Sequence, residues 1–354
     1  MMKKNIGLTY DLKTDWVKSD DDPVDINAEL DSPLTVERIT KALESGGHRV
    51  THIGHVYNLL ENIENLKNEV DLVFNICEGK TRSRSRESQV PLLLEMYGIP
   101  FVGADAIAQG VTLDKVFTKK LFVADGIPTP RFFVATPHDD LKKLNTIGFP
   151  LIVKTRHEGT SKGLTKNSRV EDYKSLEKQV RIIYDQYHQS ALVEEFIRGT
   201  EFTVPVIGNH PPQAMTVTQV SVDGNTDLMD QFFTFELVSY RGLTYVCPAK
   251  ISSKLTQTLQ DLAVRVYRSV ECRDLGRVDI RVDEKGNPYV LEINPLPSLA
   301  ENDVFNIFPE TVGKTYNEII NQIVKSALER YRSADVSQKK EMKDSVLEAA
   351  GRRK

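Results

Sequence analysis

The chain has 354 residues, 40% of them hydrophobic and 27% charged, with a formal net charge of −4 and a pI near 6.0. This length exceeds what one ordinary hydrophobic core organises, so about two or three domains are expected. The slightly acidic balance argues against a broad nucleic-acid-binding surface, which requires a basic field. The three cysteines fit no metal-binding spacing, and we interpret them as reduced thiols.

The sequence contains no apolar stretch long enough to span a membrane. The lysines near the N-terminus are not followed by the apolar segment of a signal peptide. We therefore expect a cytoplasmic protein with no membrane partner.

The first 115 residues alternate between β-rich and helical segments. Strands are predicted at 5–11, 48–54, 70–76 and 99–103, with helices at 34–47 and 88–98 and an acidic loop at 18–33. The resulting β-α-β-β-α-β order predicts an α/β domain built on a mostly parallel, Rossmann-like sheet.

The order of predicted helices and strands changes after residue 115. Helices are predicted at 112–126, 171–187 and 254–270, and the intervening β-rich segments include a pair of strands joined by a glycine-containing loop. We predict two α+β subdomains with antiparallel sheets that face each other, at 116–196 and 197–332. Residues 231–246 are predicted to be a polar and aromatic loop, and the charged tail at 333–354 is either a solvated helix or disordered.

A hairpin is predicted near the C-terminal end of the second subdomain. Apolar and charged residues alternate over 277–282, so Arg277, Asp279 and Arg281 share one strand face. A turn, with Gly286 or Asn287 at the position that tolerates positive φ, leads into a second strand.

On that second strand, Glu292 and Asn294 again share a face. Two carboxylates and a carboxamide oxygen from neighbouring strands suit Mg²⁺, which binds proteins through one or two carboxylates together with nucleotide phosphates. A solvated sheet face, with Arg277 and Arg281 as ion partners of the acids, explains the pattern equally well.

Lys154 ends an apolar strand, and the segment 158–163 follows it with two glycines, Thr160 and Ser161. Lysine can hold a phosphate as a point charge, and such a loop offers backbone N–H groups and hydroxyls to phosphate oxygens. By itself the loop is more simply a flexible hairpin. Neither a P-loop nor a dinucleotide-binding fingerprint is present, and Lys115 alone is equally compatible with a solvated helical lysine.

Glu194, Glu195 and Glu201 lie at the end of one predicted strand and the start of the next. Acids there can accept hydrogen bonds from ribose hydroxyls or from an adenine amino group. Surface charge is the alternative.

The order of these motifs resembles the ATP-grasp ligases, and within them the D-alanine–D-alanine ligase family. Good resemblance extends from about residue 70 to 325, and it rests on the segments containing "TLDKVFTKKL", "GIPTP", "FPLIVKTRHEGTSKGL", "LVEEFIRGTEFTV", "CPAK" and "GRVDIRVDEKGNPYVLEINPLPSL". It implies an ATP- and Mg²⁺-dependent carboxylate–amine ligase that forms an amide bond through an acyl phosphate, with Mn²⁺ as an alternative metal. It also implies small amino-acid or peptide substrates and a homodimer.

The resemblance implies a role for each motif residue. Lys115 and Lys154 would contact phosphate, and Thr160 and Ser161 would lie in the loop that covers the phosphates. Arg277 would stabilise the acyl phosphate and the tetrahedral intermediate. The remaining implied contacts are adenine at Glu194 with Glu195 beside it, ribose at Glu201, and the metal at Asp279, Glu292 and Asn294.

The substrate motifs of the family are altered in this chain. The N-terminal loop lacks the expected glycines, which leaves Glu29 and Asp31 as alternative candidates for binding an amino group. The segment after Pro297 has Ser298 in place of a glycine and Asp303 near the position of a serine that holds the acceptor's carboxylate. Tyr240 and Arg241 are further substrate candidates, in the loop at 231–246, which is the natural candidate for a lid that keeps water away from the acyl phosphate.

The segment 75–89 is arginine-rich through Arg82, Arg84 and Arg86. A solvated loop is the favoured interpretation, with a carboxylate-binding patch as the alternative.

Three functions fit the sequence. The first is a ligase with an altered amino-acid or peptide substrate. The second is a nucleotide-binding protein that retains the fold without ligation and acts through partners. The third is an ATP-grasp carboxylase or kinase-like enzyme, because one scaffold serves many chemistries.

Overall fold

A computed structural model describes residues 3–79, 83–238, 240 and 242–351, without the side chains of Val238 and of residues 334–351. Among the helices described, none combines the length and the apolar character needed to cross a bilayer.

The N-terminal domain is built on a parallel sheet, as predicted. The sheet has four strands in the order β2-β1-β3-β4. β3 is buried along its whole length, which explains its continuous apolar sequence. The strands are β1 (Asn5–Tyr10), β2 (Arg49–Gly54), β3 (Leu72–Ile76) and β4 (Phe101–Val102). The helices are α1 (Pro33–Ser45), α2 (Val56–Glu69), α3 (Gln89–Met96) and α4 (Ala106–Leu113).

The predicted order of elements in this domain was wrong at two points, because α2 and α4 were omitted. In α2, Val56, Leu59, Ile63 and Leu66 are buried at helical spacing, and His55 caps the first turn. The polar Asn, Glu and Lys residues between them obscure this pattern in the sequence. With α2 in place, β2 and β3 are joined by the crossover helix that parallel strands require.

A second sheet is antiparallel, in the order β5-β8-β6-β7. Its strands are β5 (Phe132–Ala135), β6 (Leu151–Lys154), β7 (Arg169–Val170) and β8 (Ala191–Glu195), and its helices are α5 (Lys115–Ala124), α6 (Leu141–Leu144) and α7 (Tyr173–Tyr187). The amphipathic α7 buries Leu176, Val180 and Ile183 against this sheet. The glycine-containing loop joins β6 to β7, as predicted, through a 3-10 turn at Lys166–Ser168.

The third sheet is also antiparallel, in the order β12-β11-β9-β13-β14, with β10 on the edge of β9. Its strands are β9 (Gly199–Ile207), β10 (Gln213–Ala214), β11 (Thr218–Val222), β12 (Leu243–Val246), β13 (Leu275–Asp283) and β14 (Pro288–Asn294), and α9 (Ser253–Ser269) covers one face. The segment predicted as a loop at 231–246 also holds α8 (Phe235–Val238) and β12.

The C-terminal part of the chain returns to the N-terminal domain. After the short α10 (Val304–Ile307), helix α11 (Tyr316–Gly351) buries Ile319, Ile320 and Ile323 in the same core as Ile39 of α1. The backbone stays helical through most of the predicted charged tail.

Candidate active site

A large cavity lies where the three sheets converge. Its volume is about 1040 Å³, and its walls combine polar and apolar side chains. The lining includes the ends of β6, β8 and β14, the middle of β13 and residues 158–162 of the loop after β6. A cavity of this size can hold a ligand as large as a nucleotide together with a second small molecule.

The β13–β14 hairpin forms one wall of the cavity. Asp279 pairs directly with Glu292 across the two strands, and Arg277 pairs with Asn294. The Arg277 guanidinium holds Asp279 through Nη2–Oδ2 and Nε–Oδ1 distances of 2.9 and 3.1 Å. The Asn294 amide donates to Asp279 Oδ2 at 3.0 Å. The predicted period-two pattern therefore places these four side chains together.

The hairpin acids suit a hard divalent cation. Two carboxylates and one amide face the cavity, and this oxygen-donor set fits Mg²⁺ with the remaining positions filled by phosphate or water. Among the residues that the structure describes, no group of three or more His, Cys, Asp or Glu side chains is arranged to hold a metal ion.

Two lysines on different elements form ion pairs with acids that line the cavity. Lys115 opens α5 directly after the capping Asp114, and its ammonium lies 3.1 Å from Glu292. Burial disfavours the charged form of Lys115, but Glu292 together with Glu29 and Glu87 outweighs burial and raises the lysine's pKa. Lys154 ends β6 and lies 2.7 Å from Glu194 on the neighbouring β8. Both ammonium groups line the same cavity.

Glu194 is almost completely buried, although its predicted role was to contact a ligand. Its carboxylate contacts Lys154 and also Lys119, each at 2.7 Å, and all but 1% of its side chain is hidden from solvent. Burial alone would raise the pKa of Glu194, but the two lysines lower it to about 2. Sequence reasoning missed Lys119, because in the sequence it is one of several similar lysines in a helix.

The two neighbouring acids differ from Glu194 and from each other. Glu195 lies at the cavity rim, paired with the exposed Arg131 at 2.9 Å. Glu201 is buried at the start of β9, where Arg281 contacts it at 3.0 Å. Burial raises the pKa of Glu201 and Arg281 opposes that effect.

The loop at 158–163 covers one side of the cavity. Thr160 and Ser161 both have positive φ, 47° and 54°, an arrangement that turns consecutive amides toward one side. Within the described part of the chain, neither residue donates a hydrogen bond from its amide or hydroxyl. These free donors, beside Lys115 and Lys154, fit an anion such as phosphate.

Residues of the N-terminal loop anchor this phosphate-facing loop. Asp25 accepts a hydrogen bond from the Gly163 amide at 2.8 Å, and Glu29 accepts one from the Gly159 amide. Lys162 lies 2.6 Å from Glu29 and forms a second ion pair with Glu158. The N-terminal domain therefore holds the loop in place.

Glu29 also contacts Arg86, at 2.7 Å. Burial would raise the pKa of Glu29, but Arg86 and Lys162 lower it to about 2. The favoured interpretation of the arginine-rich segment as a solvated loop was wrong for Arg86, which is 2% exposed. It holds for Arg84, whose exposed side chain reaches Asp114 at 3.2 Å, whereas Arg82 lies outside the described residues.

The remaining substrate candidates are distributed along the cavity. Burial and the nearby Asp11 raise the pKa of Asp31 to about 7. Tyr240 is exposed and donates to Asp223 at 2.9 Å, Ser298 is exposed at the rim, and Arg241 lies outside the described residues. Asp303 lies 3.4 Å from Arg277, so it shares that arginine with Asp279.

Comparison with known proteins agrees with this architecture. Residues 121–325 match the family described as "D-ala D-ala ligase C-terminus". A D-alanine–D-alanine ligase of Pelotomaculum thermopropionicum is 31% identical over 282 residues, 76% of this chain and 84% of that protein. An uncharacterised protein, y4sG, of Sinorhizobium fredii is 34% identical over 305 residues, 83% of this chain and 88% of that protein.

Solved structures show the same fold at lower identity. A D-alanine–D-alanine ligase from Bacillus anthracis, complexed with ATP, has a TM-score of 0.72 and 20% identity, covering 94% of this chain and 99% of its own. The VanG D-Ala:D-Ser ligase from Enterococcus faecalis has a TM-score of 0.71 and 17% identity, covering 92% and 100%. The family match over residues 121–325 and the 31% identity to the Pelotomaculum ligase show that the chain belongs to the D-alanine–D-alanine ligase family of ATP-grasp proteins.

Proposed function

We propose that this protein is an ATP- and Mg²⁺-dependent ligase that joins a carboxylate to an amine, with substrates that differ from two D-alanines. The observation that carries the proposal is the convergence of two lysines and two opposed carboxylates beside a loop with free N–H and hydroxyl donors. Lys115 and Lys154 supply the lysines, Asp279 and Glu292 the carboxylates, and 158–163 the loop. Family membership supports the same reaction class.

We assign phosphoryl transfer to groups that line this cavity. ATP would place its phosphates between Lys115, Lys154 and the loop at 158–163, with the nucleotide's other end among the side chains near Glu194, Glu195 and Glu201. A Mg²⁺ ion held by Asp279, Glu292 and Asn294 would neutralise phosphate charge during the transfer. The substrate's carboxylate oxygen attacks the γ-phosphorus and ADP leaves, which gives an acyl phosphate with a good leaving group.

Amide formation follows at the same place. The amine attacks the acyl carbon, the carbonyl oxygen gains negative charge, and phosphate then departs with the bonding electrons while the amine loses a proton. The proposal gives the stabilisation of that oxyanion to Arg277, which lines the same cavity as the two lysines. The loop at 158–163 limits the access of water to the acyl phosphate.

The altered substrate is supported by the surroundings of Glu29. A substrate ammonium would have to compete with Lys162 and Arg86, which already contact this carboxylate. The geometry thus argues against the simplest use of Glu29 as the binding site for an α-amino group.

The test is a matrix of carboxylates and amines, assayed for ADP release and for product mass. We expect ADP release that depends on one carboxylate and one amine together. In Glu292→Gln the turnover should fall by about a hundredfold or more, because one of two metal carboxylates is lost. The matched control, Glu284→Gln, removes an exposed acid at the turn of the same hairpin and should retain turnover.

Two results would contradict these expectations. ATP binding without ADP release from any pair would overturn the ligase proposal. Full turnover in Glu292→Gln would overturn the metal assignment.

A further inference from the structure

The cavity wall is strongly acidic. Among the described residues that line it, twelve are Asp or Glu and six are Lys or Arg. The cationic residues are Lys13, Lys115, Lys154, Lys162, Arg277 and Arg281. Part of this excess is balanced from behind the wall, since Arg86 contacts Glu29, Lys119 contacts Glu194 and Arg131 contacts Glu195.

Five of those six cations are already paired with carboxylates of the protein itself. Lys115 contacts Glu292, Lys154 contacts Glu194, and Lys162 contacts Glu29. Arg281 contacts Glu201, and its side chain is only 4% exposed. The exposed Lys13, at the rim near Asp31, is the exception within the described chain.

Arg277 is the guanidinium on the described cavity wall that is open enough to meet a substrate, with 21% of its side chain exposed. It is held from two sides, by Asp279 at 2.9 Å and by Asp303 at 3.4 Å. A metal ion bound to Asp279 would weaken the first contact and leave the second. Arg277 therefore keeps a carboxylate partner throughout, and a substrate carboxylate brought beside it would face Asp303 at close range.

Burial strengthens this effect. The side chain of Asp303 is only 16% exposed, and its backbone neighbours fix it, since its Oδ1 accepts from the Val304 amide at 2.7 Å. A charge held in a poorly solvated position repels a like charge by more than an exposed one would. Tyr245 also lines this end and brings no positive charge.

From this arrangement we propose that the amine substrate carries no carboxylate of its own, and that Asp303 is the residue that selects against one. The substrate class is a primary amine, including diamines that remain cationic at a second nitrogen, or an amino-acid amide. The reacting carboxylate comes from the other substrate and is met by the lysines. This inference rests on the proposed ligase activity.

The experiment uses matched amines with the carboxylate donor that gives the highest ADP release. Alanine is compared with alaninamide and ethylamine, and lysine with 1,5-diaminopentane, each with mass detection of the product. For the wild-type protein we expect kcat/KM for the amide or amine to exceed that for the amino acid by about tenfold or more.

Variants at Asp303 test the residue itself. Asp303→Asn keeps a capping side chain of the same size. It should reduce the kcat/KM ratio of the amide or amine to the amino acid by about tenfold, and Asp303→Ser should reduce this ratio similarly. Glu310→Gln removes an exposed acid outside the cavity and should leave the preference unchanged.

Each contrary result has its own meaning. A wild-type preference for the free amino acids, or an unchanged preference in both Asp303 variants, would overturn this inference and leave the ligase proposal standing. If no acceptor of either kind supports ADP release with any donor, the ligase proposal fails and this inference fails with it.

Discussion

At the scale of single residues, Glu194 shows how a buried charge beside the cavity is compensated by ion pairs. Its carboxylate forms ion pairs with both Lys119 and Lys154. The side chains of Glu194 and Lys119 are each 1% exposed, and that of Lys154 is 14% exposed. Removing one partner of a buried ion pair is costly, because the remaining charge is left without compensation. Glu194 is therefore a structural residue whatever ligand it contacts.

The first prediction concerns Glu194→Gln. The substitution leaves two lysines without a carboxylate, and we expect it to lower the free energy of unfolding by about 3 kcal/mol. The measurement is the urea midpoint of purified protein. Glu195→Gln, one residue away in an exposed pair with Arg131, is the control and should have only a small effect. Equal midpoints for the two variants would contradict the prediction.

The second prediction follows from the same pKa. The folded state lowers the pKa of Glu194 from 4.5 to about 2, so the folded protein holds the charged form more strongly than the unfolded chain does. The stabilisation is complete above about pH 4.5 and is lost as the pH falls toward about 2. The stability difference between wild type and Glu194→Gln should thus shrink across that range. If the stability difference stays constant with pH, the lowered pKa of Glu194 is not its cause.

At the scale of elements, the best-predicted part of the site is the β13–β14 hairpin. Alternation in 277–282 and in 290–294 is a local signal, and it correctly places Asp279 opposite Glu292. The parallel N-terminal sheet was predictable from another local signal, the continuous apolar sequence of its buried strand β3. By contrast α2 was missed, because its four buried residues are diluted by polar ones.

Contacts between distant segments had no signal in the sequence. Glu29 and Lys162 are 133 positions apart, and only the folded chain brings them to 2.6 Å. Arg86 was misinterpreted as solvated for the same reason, since its partner Glu29 is remote in sequence. A charged residue can be recognised from the sequence, but the partner that permits its burial cannot.

A third prediction tests whether the N-terminal domain holds the phosphate-facing loop. Asp25 accepts hydrogen bonds from the Gly163 amide and from the Tyr187 hydroxyl, each at 2.8 Å. In Asp25→Ala we expect amide exchange in 156–165 to be about tenfold faster, because the loop loses an anchor of roughly 1 to 1.5 kcal/mol. Hydrogen–deuterium exchange measures this. Exchange should be unchanged in Asp20→Ala, an exposed acid of the same N-terminal loop.

At the scale of the whole molecule, the two ends of the chain share one core. Helix α11 packs on α1 and contributes Ile319, Ile320 and Ile323 to the core that contains Ile6 and Leu8 of β1. Arg330 of the same helix is paired with the buried Asp274 at 2.7 Å, and Asp274 also accepts from the Gly103 amide. The N-terminal domain is therefore completed by residues from the far end of the sequence.

The fourth prediction follows from that packing. Ile320 is fully buried, and Ile320→Ala should lower the free energy of unfolding by about 2 to 5 kcal/mol. Leu60→Ala, at a residue that is 51% exposed on α2, should change it far less. Guanidinium unfolding compares the two. A small effect at Ile320 would show that α11 adds little to this domain.

The ion pairs of the cavity also have a thermodynamic consequence. Lys115 cannot contact both a phosphate and Glu292 at full strength, and Glu292 cannot serve both the lysine and a metal ion. A polyanion that draws Lys115 away leaves Glu292 free to bind a cation, and a cation on Glu292 likewise frees the lysine. We therefore expect positive cooperativity between nucleotide and divalent cation, with each increasing the affinity for the other by the same factor.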